Sequence, residues 1–189
     1  MANTKKRTEE KVITVGSAHA YITEFDGTLP AHTEVCVPEN RFGYTKTGAT
    51  VKLEQTWEDF YDDHGLIGKS KLVEEKATMQ LGMFGWNGKT IEKIVSTAKA
   101  TDDKEAGLRT TEIGGVANDD GKRYVLCLHH EDKQDGDCWW MGVGKNTEGL
   151  ELAYQQNEGS VAQPTFTCEP YDDSGRLLKF IEEIEKNAG

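Results

Sequence analysis

The sequence predicts a mainly β fold: a β-sandwich or barrel-like core with one flanking α-helix at about residues 87–100 and a long β-hairpin at about residues 48–84. Three observations lead to this prediction. Apolar and polar residues alternate along both arms of the hairpin, and one later stretch has helical period. Turn signals of the Asp-Gly and Asn-Glu-Gly-Ser kind recur in the second half about every twelve residues. We expect a single domain at residues 11–184 between short arms at 1–10 and 185–189.

The predicted hairpin has one apolar and one charged face, because successive strand residues point to opposite sides. With the turn centred on Gly65, Leu53 lies opposite Ala77 and Trp57 opposite Val73. The other expected pairs are Val51 with Met79, Glu54 with Lys76, and Thr56 with Glu74. A slip by one residue would mix the faces, so the pattern favours this register. The charged face carries Lys52, Glu54, Glu58, Glu74 and Lys76.

Upstream of the hairpin, residues 11–25 predict a strand with a break at Gly16, and residues 26–40 predict a loop with a short strand at 33–37. Downstream, apolar residues at positions i, i+3, i+4 and i+7 predict the helix. They are Ile91, Ile94, Val95 and Ala98. Asn87 or Thr90 can cap the start of this helix.

The second half predicts a meander or sandwich of strands joined by turns. The expected strands are residues 109–115, 123–132, 138–145, 149–156, 161–173 and 176–184. The last run also fits helical spacing through Leu177, Ile181 and Ile184. The turn before it favours a strand that forms a hairpin with its predecessor.

Composition narrows the classes of function. The chain has 33 acidic and 22 basic residues, a net charge of −11, so it should repel nucleic acid unless basic residues cluster. We expect no signal peptide, no membrane span and a reducing cytoplasm as the place of synthesis. Four dispersed cysteines without a CxxC motif favour free thiols over zinc or disulfides. They are Cys36, Cys127, Cys138 and Cys168.

No catalytic set stands out, so we expect a protein that is not an enzyme and needs no cofactor or metal. His129 and His130 are neighbours in a predicted strand and therefore point to opposite faces, away from any shared ion. The string GWNGKT lacks the spacing of a phosphate loop. The alternative from another class is a ligand- or carbohydrate-binding β-sandwich module. Its platform would be Trp86, Trp139 and Trp140.

Two strings in the second half carry a resemblance to a known family. They are VGKNTEGLELAY at residues 143–154 and EPYDDSG at residues 169–175. With the preceding helix and the long hairpin, residues 11–183 resemble the major tail tube protein of long-tailed, non-contractile (siphovirus-type) bacteriophages and related prophages. Contractile-tail tubes and the type VI secretion tube share that fold. The resemblance implies six copies per ring, stacking of rings into a tube, and passage of DNA at ejection.

The resemblance also implies binding partners and a location for the protein. The partners are further copies of the chain and the tape-measure, tail terminator and tail-tip proteins. DNA would pass without sequence-specific binding, and the protein would move from the host cytoplasm into the virion. We hypothesise that Glu54, Glu58 and Glu74 face the lumen and, against Lys52 and Lys76, give a net acidic lining that repels phosphate. The alternative is a solvated strand face. The expected ring-stacking tip comprises Asp62, Asp63, His64, Gly65 and Lys69.

Overall fold

The computed structural model describes residues 16–43, 45–65, 68–133, 135–152 and 161–184. The strands of this part are β1 (His19–Glu24), β2 (Thr45–Tyr61), β3 (Gly68–Met83), β4 (Ala98–Asp103), β5 (Leu108–Ile113), β6 (Tyr124–His130), β7 (Cys138–Asn146), β8 (Thr165–Glu169) and β9 (Leu178–Glu182). The helices are α1 (His32–Val35) and α2 (Gly88–Ile94), with 3-10 turns at Pro38–Asn40 and Val116–Asn118. Neither α-helix of the described ranges is long and apolar enough to cross a membrane.

One large antiparallel sheet organises the chain. Its strand order is β1-β6-β7-β8-β3-β2, and β9 also pairs with β7. The two outer strands meet at one end, where the Thr45 hydroxyl donates a hydrogen bond to the Ala18 carbonyl at 2.9 Å. This large antiparallel sheet confirms the prediction of a mainly β fold. The strands β4 and β5 form a separate two-stranded sheet, against which α2 packs.

Apolar side chains cover both faces of the central strands. The first core includes Ala20, Ile22, Phe42, Ala77, Met79, Leu81, Met83, Ile94, Leu126, Leu128 and Phe166. The second core, on the other side, comprises Val35, Val125, Cys127, Trp139, Met141 and Val143. Strand β6 contributes to both cores alternately, which explains its continuous apolar run.

A glycine allows close approach of β7 and β8. A Cβ atom at Gly144 would lie 2.1 Å from the Thr167 carbonyl oxygen, so any other residue there would push the strands apart. Both β8 and β9 lie antiparallel on this edge of β7, at Val143–Asn146 and Cys138–Gly142 respectively. The chain between them leaves the sheet and returns to the same edge.

The predicted helix at 87–100 is wrong in its length. Asn87 caps the start as expected, since its side-chain oxygen accepts hydrogen bonds from the backbone N–H groups of Lys89 at 2.9 Å and Thr90 at 3.1 Å. The helix α2 ends at Ile94, and residues 98–103 instead form β4. Ala98 and Ala100 alternate with exposed neighbours, a period that suits a strand paired with β5.

Three other predictions need correction. The loop at 26–40 contains α1 rather than a short strand at 33–37. The final run is the strand β9, as predicted, but it pairs with β7 instead of forming a hairpin with β8. The expected strand at 149–156 is not a strand at 149–152, and its remainder lies outside the described residues.

The parts of the predicted strand before Gly16 also lie outside the described residues, as do both predicted arms. Within the described residues β1 starts at His19, and the predicted break at Gly16 stays a prediction. Gly16 itself has a φ of +127°.

The fold predicts a sharp contrast between two phenylalanines. Phe166 is fully buried and packs edge-on against Phe42, whereas Phe60 is 53% exposed near the end of β2. We expect Phe166→Ala to lower the free energy of unfolding by about 3–5 kcal/mol and Phe60→Ala by less than about 1 kcal/mol. Urea denaturation of the monomer measures both. Similar losses for the two variants would contradict the assignment of Phe60 to a region outside the core.

Candidate functional site

The most distinctive feature is the ribbon formed by β2 and β3, which have 17 and 16 residues. At about 3.3 Å per residue the ribbon is roughly 55 Å long. Its base is anchored by the fully buried Ala77, Met79 and Leu81. We call residues 52–61 and 68–76 the distal ribbon. All its side chains are exposed except Leu72, which is half-buried.

The strand register agrees with the sequence prediction along most of the ribbon. Val51 lies opposite Met79, Leu53 opposite Ala77, Glu54 opposite Lys76 and Thr56 opposite Glu74, all as predicted. Beyond Thr56 the register shifts by one residue. Trp57 therefore lies opposite Leu72, so the predicted pairing with Val73 is wrong; Val73 is the extra residue of a β-bulge.

The bulge preserves an apolar face that the described part of the chain leaves exposed. On this face Leu53 is 50% exposed, Trp57 55% and Tyr61 67%, with Leu72 between them. We call these four residues the apolar face of the distal ribbon. Polar cross-strand pairs also occupy this side, including a hydrogen bond from the Gln55 amide to Glu75 at 2.7 Å. The pair Ser70 and Asp59 is also hydrogen-bonded.

The opposite side is the charged face, and it contains all five residues predicted there. The bulge adds two further lysines by shifting the alternation of β3. The charged face therefore carries Lys52, Glu54, Glu58, Lys69, Lys71, Glu74 and Lys76. Four lysines against three glutamates give a net charge of +1. The expected net acidity of this face is thus not found.

Charges on this face interact along one strand. Lys52 Nζ lies 2.6 Å from Glu54 Oε1. The hydrogen bond from Lys52, followed by its positive charge, lowers the pKa of the exposed Glu54 carboxyl. Glu54 therefore stays ionised at neutral pH, and this pair leaves no net charge at that point of the face.

The distal ribbon also carries two free strand edges. Strand β2 is the outermost strand of the sheet, and no strand of the described part pairs with its outer edge. On its other side, β3 pairs with β8 only at residues 78–80, and residues 81 and 83 bond to the segment before β8. The backbone groups of residues 68–77 on that edge have no strand partner within the described ranges.

The predicted stacking tip is only partly a loop. Asp62, Asp63, His64 and Gly65 are exposed. Gly65 has a φ of +67°, and its N–H donates to the Asp62 carbonyl at 2.9 Å. Lys69, in contrast, lies in β3 opposite Phe60 and belongs to the charged face. Residues 66 and 67 lie outside the described residues.

The two adjacent histidines point to opposite faces of β6, as predicted. His129 Nε2 lies 2.9 Å from Asp137 Oδ2, while the buried His130 has Nδ1 at 3.2 Å from the Ser17 carbonyl oxygen. The described residues contain no group of three or more His, Cys, Asp or Glu side chains that could hold a metal ion.

The tryptophans do not form a ligand platform. Trp139 packs between two histidine rings in the second core, at centroid distances of 4.5 and 4.9 Å. Trp140 faces the other way and contacts Phe180 at 4.8 Å. Trp86 packs against the first core. Adjacent Trp139 and Trp140 are thus split between the faces, as predicted, and no single surface presents all three rings.

Known proteins resemble this chain in structure rather than in sequence. No family model matches the chain, and no curated protein matches it. Among solved structures, the chain is similar to the anti-feeding prophage cap, a tube-terminating cap solved by cryo-EM. The sequence identity is 12% and the TM-score is 0.46, over 96% of this chain and 99% of that chain.

Proposed function

We propose that this chain is a structural virion protein whose copies close into hexameric rings, and that the rings stack into the tail tube of a long-tailed phage or related prophage. The distal ribbon carries this proposal, since it leaves an apolar face and two strand edges uncovered. The tube would conduct DNA into the host at ejection, without catalysis or a cofactor. The protein would reside in the host cytoplasm and then in the virion tail.

A two-stranded ribbon of this kind needs a partner. An isolated hairpin is marginally stable in water, and a long exposed edge is a template for pairing with another chain. The free edge of β2 and the free distal edge of β3 lie on opposite sides of the ribbon. The β2 edge of one copy can therefore pair with the β3 edge of the next. Such a head-to-tail contact, repeated with a closing rotation, produces a ring.

In such a ring, the apolar face and the charged face of the distal ribbon would lie on opposite sides of the tube wall. Ribbons joined side by side form a barrel around the lumen, with one face toward water and the other toward protein. The apolar face of the distal ribbon, with Trp57 and Leu72, would pack against the neighbouring copy's core. The charged face would then line the lumen. Partners at the tube ends and inside it are the tape-measure, tail terminator and tail-tip proteins, and DNA passes without sequence-specific binding.

Substituting Trp57 tests the ring contact. In Trp57→Glu, assembly would place a carboxylate in an apolar interface, which is costly. We expect the critical concentration for assembly to rise at least about tenfold, equivalent to about 1.4 kcal/mol. The monomer should keep its circular dichroism spectrum and stability. Negative-stain microscopy and sedimentation measure rings and tubes.

The matched control is Phe60→Glu, which replaces an equally exposed aromatic residue on the charged face, opposite Lys69. It should assemble like the unchanged chain. Normal assembly of Trp57→Glu, or equal loss in both variants, would count against a contact made by the apolar face.

The charged face is tested by charge reversal. Glu54→Lys with Glu58→Lys raises the net charge of each subunit's charged face by four. If this face lines the lumen, tubes should retain short duplex DNA at low salt and release it as salt rises. Co-sedimentation of DNA with tubes measures retention. As a control, Asp103→Lys with Glu105→Lys makes the same charge change at the exposed β4–β5 turn. Equal retention by both double variants would contradict lumen lining.

The tip is tested by shortening the hairpin. Tyr61 and Gly68 form the last strand pair, so Asn-Gly in place of residues 62–67 can close the hairpin as a two-residue turn. We propose that this tip contacts the next ring. The shortened chain should then fold and form single rings but no stacked tubes under electron microscopy. Tubes of ordinary length from this variant would refute a role of the tip in stacking.

A further inference from the structure

Two cysteines far apart in sequence lie in contact beneath α1. Cys36 follows the last residue of α1, and Cys127 is in the middle of β6. Their Sγ atoms are 3.3 Å apart, although 91 residues separate them in the chain. Cys127 is fully buried, whereas Cys36 is half-buried.

The fold creates this pair by placing α1 over β6. Strand β1 pairs with β6 so that Tyr21 lies opposite Cys127. The chain then turns through α1, and Val35 packs in the second core beside Cys127. Both thiols are free in the structure. A disulfide needs an S–S distance of about 2.05 Å, so the sulfur atoms must approach by little more than 1 Å. Cys36 lies at the end of α1, in a loop, and can supply this movement.

The contact between the thiols also gives them different pKa values. The hydrogen bond between the two sulfur atoms lowers the pKa of Cys36, against an opposing effect of burial. The same contact, together with burial, raises the pKa of Cys127. Cys36 is therefore both the more acidic and the more accessible thiol. A thiolate is the attacking species in thiol–disulfide exchange.

We propose that Cys36 and Cys127 form a redox-active pair that closes into an intramolecular disulfide when the protein meets a small disulfide such as glutathione disulfide. The Cys36 thiolate attacks one glutathione sulfur, forms a mixed disulfide and releases one glutathione thiolate. The Cys127 sulfur then attacks Cys36 Sγ, loses its proton and releases the second glutathione. Two protein thiols are oxidised, and one glutathione disulfide is reduced to two thiols.

Closure would fasten α1 to the central sheet. Without the bond, α1 is a single turn of four residues, and Val35 is its one buried residue. A covalent link across 91 residues restricts the unfolded chain strongly. Neither cysteine belongs to the distal ribbon, so the proposal does not depend on the proposed ring assembly.

The experiment uses the full chain, purified reduced and incubated with glutathione disulfide. Free thiols are counted by alkylation in denaturant, and linked peptides are identified by mass spectrometry. We expect two of the four thiols to disappear, one peptide pair joining Cys36 to Cys127, and a Tm higher by about 5–10 °C. Dithiothreitol should reverse all three changes.

Two variants sharpen the test. Cys36→Ser, at the half-buried position, should fold and lose the whole response. Cys138→Ala with Cys168→Ala should keep the response, since Cys168 is buried and its thiol pKa is raised to about 12. Four unreacted thiols, a stable glutathione adduct at Cys36 with Cys127 still reduced, or a different linked pair would overturn the proposal. An unchanged Tm in the linked form would overturn the fastening of α1.

Discussion

The structure depends on β3, because one half of this strand lies in the core and the other half is exposed to solvent. The C-terminal half of β3 is buried through Ala77, Met79 and Leu81, and residues 78–80 bond to β8. Its N-terminal half leaves the core with only β2 beside it. Because β2 alternates without interruption from Ala49 to Tyr61, burial of the base fixes which side of the exposed part is apolar, and the bulge at Val73 places Leu72 on that side. The side of the ribbon that is apolar in the core continues outward as the uncovered surface that includes Leu53 and Trp57.

The register between β2 and β3 shows how much of this ribbon the sequence predicts. Alternation determined the pairs as far as Thr56 and Glu74, because a slip there would set charged residues among apolar ones. It failed at Leu72 and Val73, two adjacent apolar residues. Trp57 meets an apolar partner in either register, so hydrophobicity cannot choose between them. Two adjacent apolar residues, Leu72 and Val73, are the sequence signal that indicates a bulge here. The bulge places Lys69 and Lys71 on the charged face.

The wrong predictions for the end of α2 and for the pairing of β9 have one cause. A local sequence pattern does not show which strand will pair with a given segment. Ala98 lies at helical spacing from Ile91, but it also alternates with exposed neighbours as in a strand. The segment forms a strand because it pairs with β5. The turn before β9 was recognised correctly, since Asp172 accepts from Ser174 N–H at 3.0 Å. Yet β8 covers only part of the β7 edge, and the chain returns to fill the remainder. Contacts of this kind depend on long-range geometry that periodicity does not contain.

The charge balance created by the bulge has a physical advantage in the proposed ring. An acidic face repeated six times around a narrow bore would bring like charges from neighbouring copies within the screening length, about 8 Å at physiological salt. That repulsion would oppose ring closure. A strongly basic face would instead hold the phosphate backbone by releasing its counterions. Interleaved charges, four lysines with three glutamates, avoid both effects. By this argument the near-neutral face suits a passage for DNA better than the acidic lining that the unbulged register predicts.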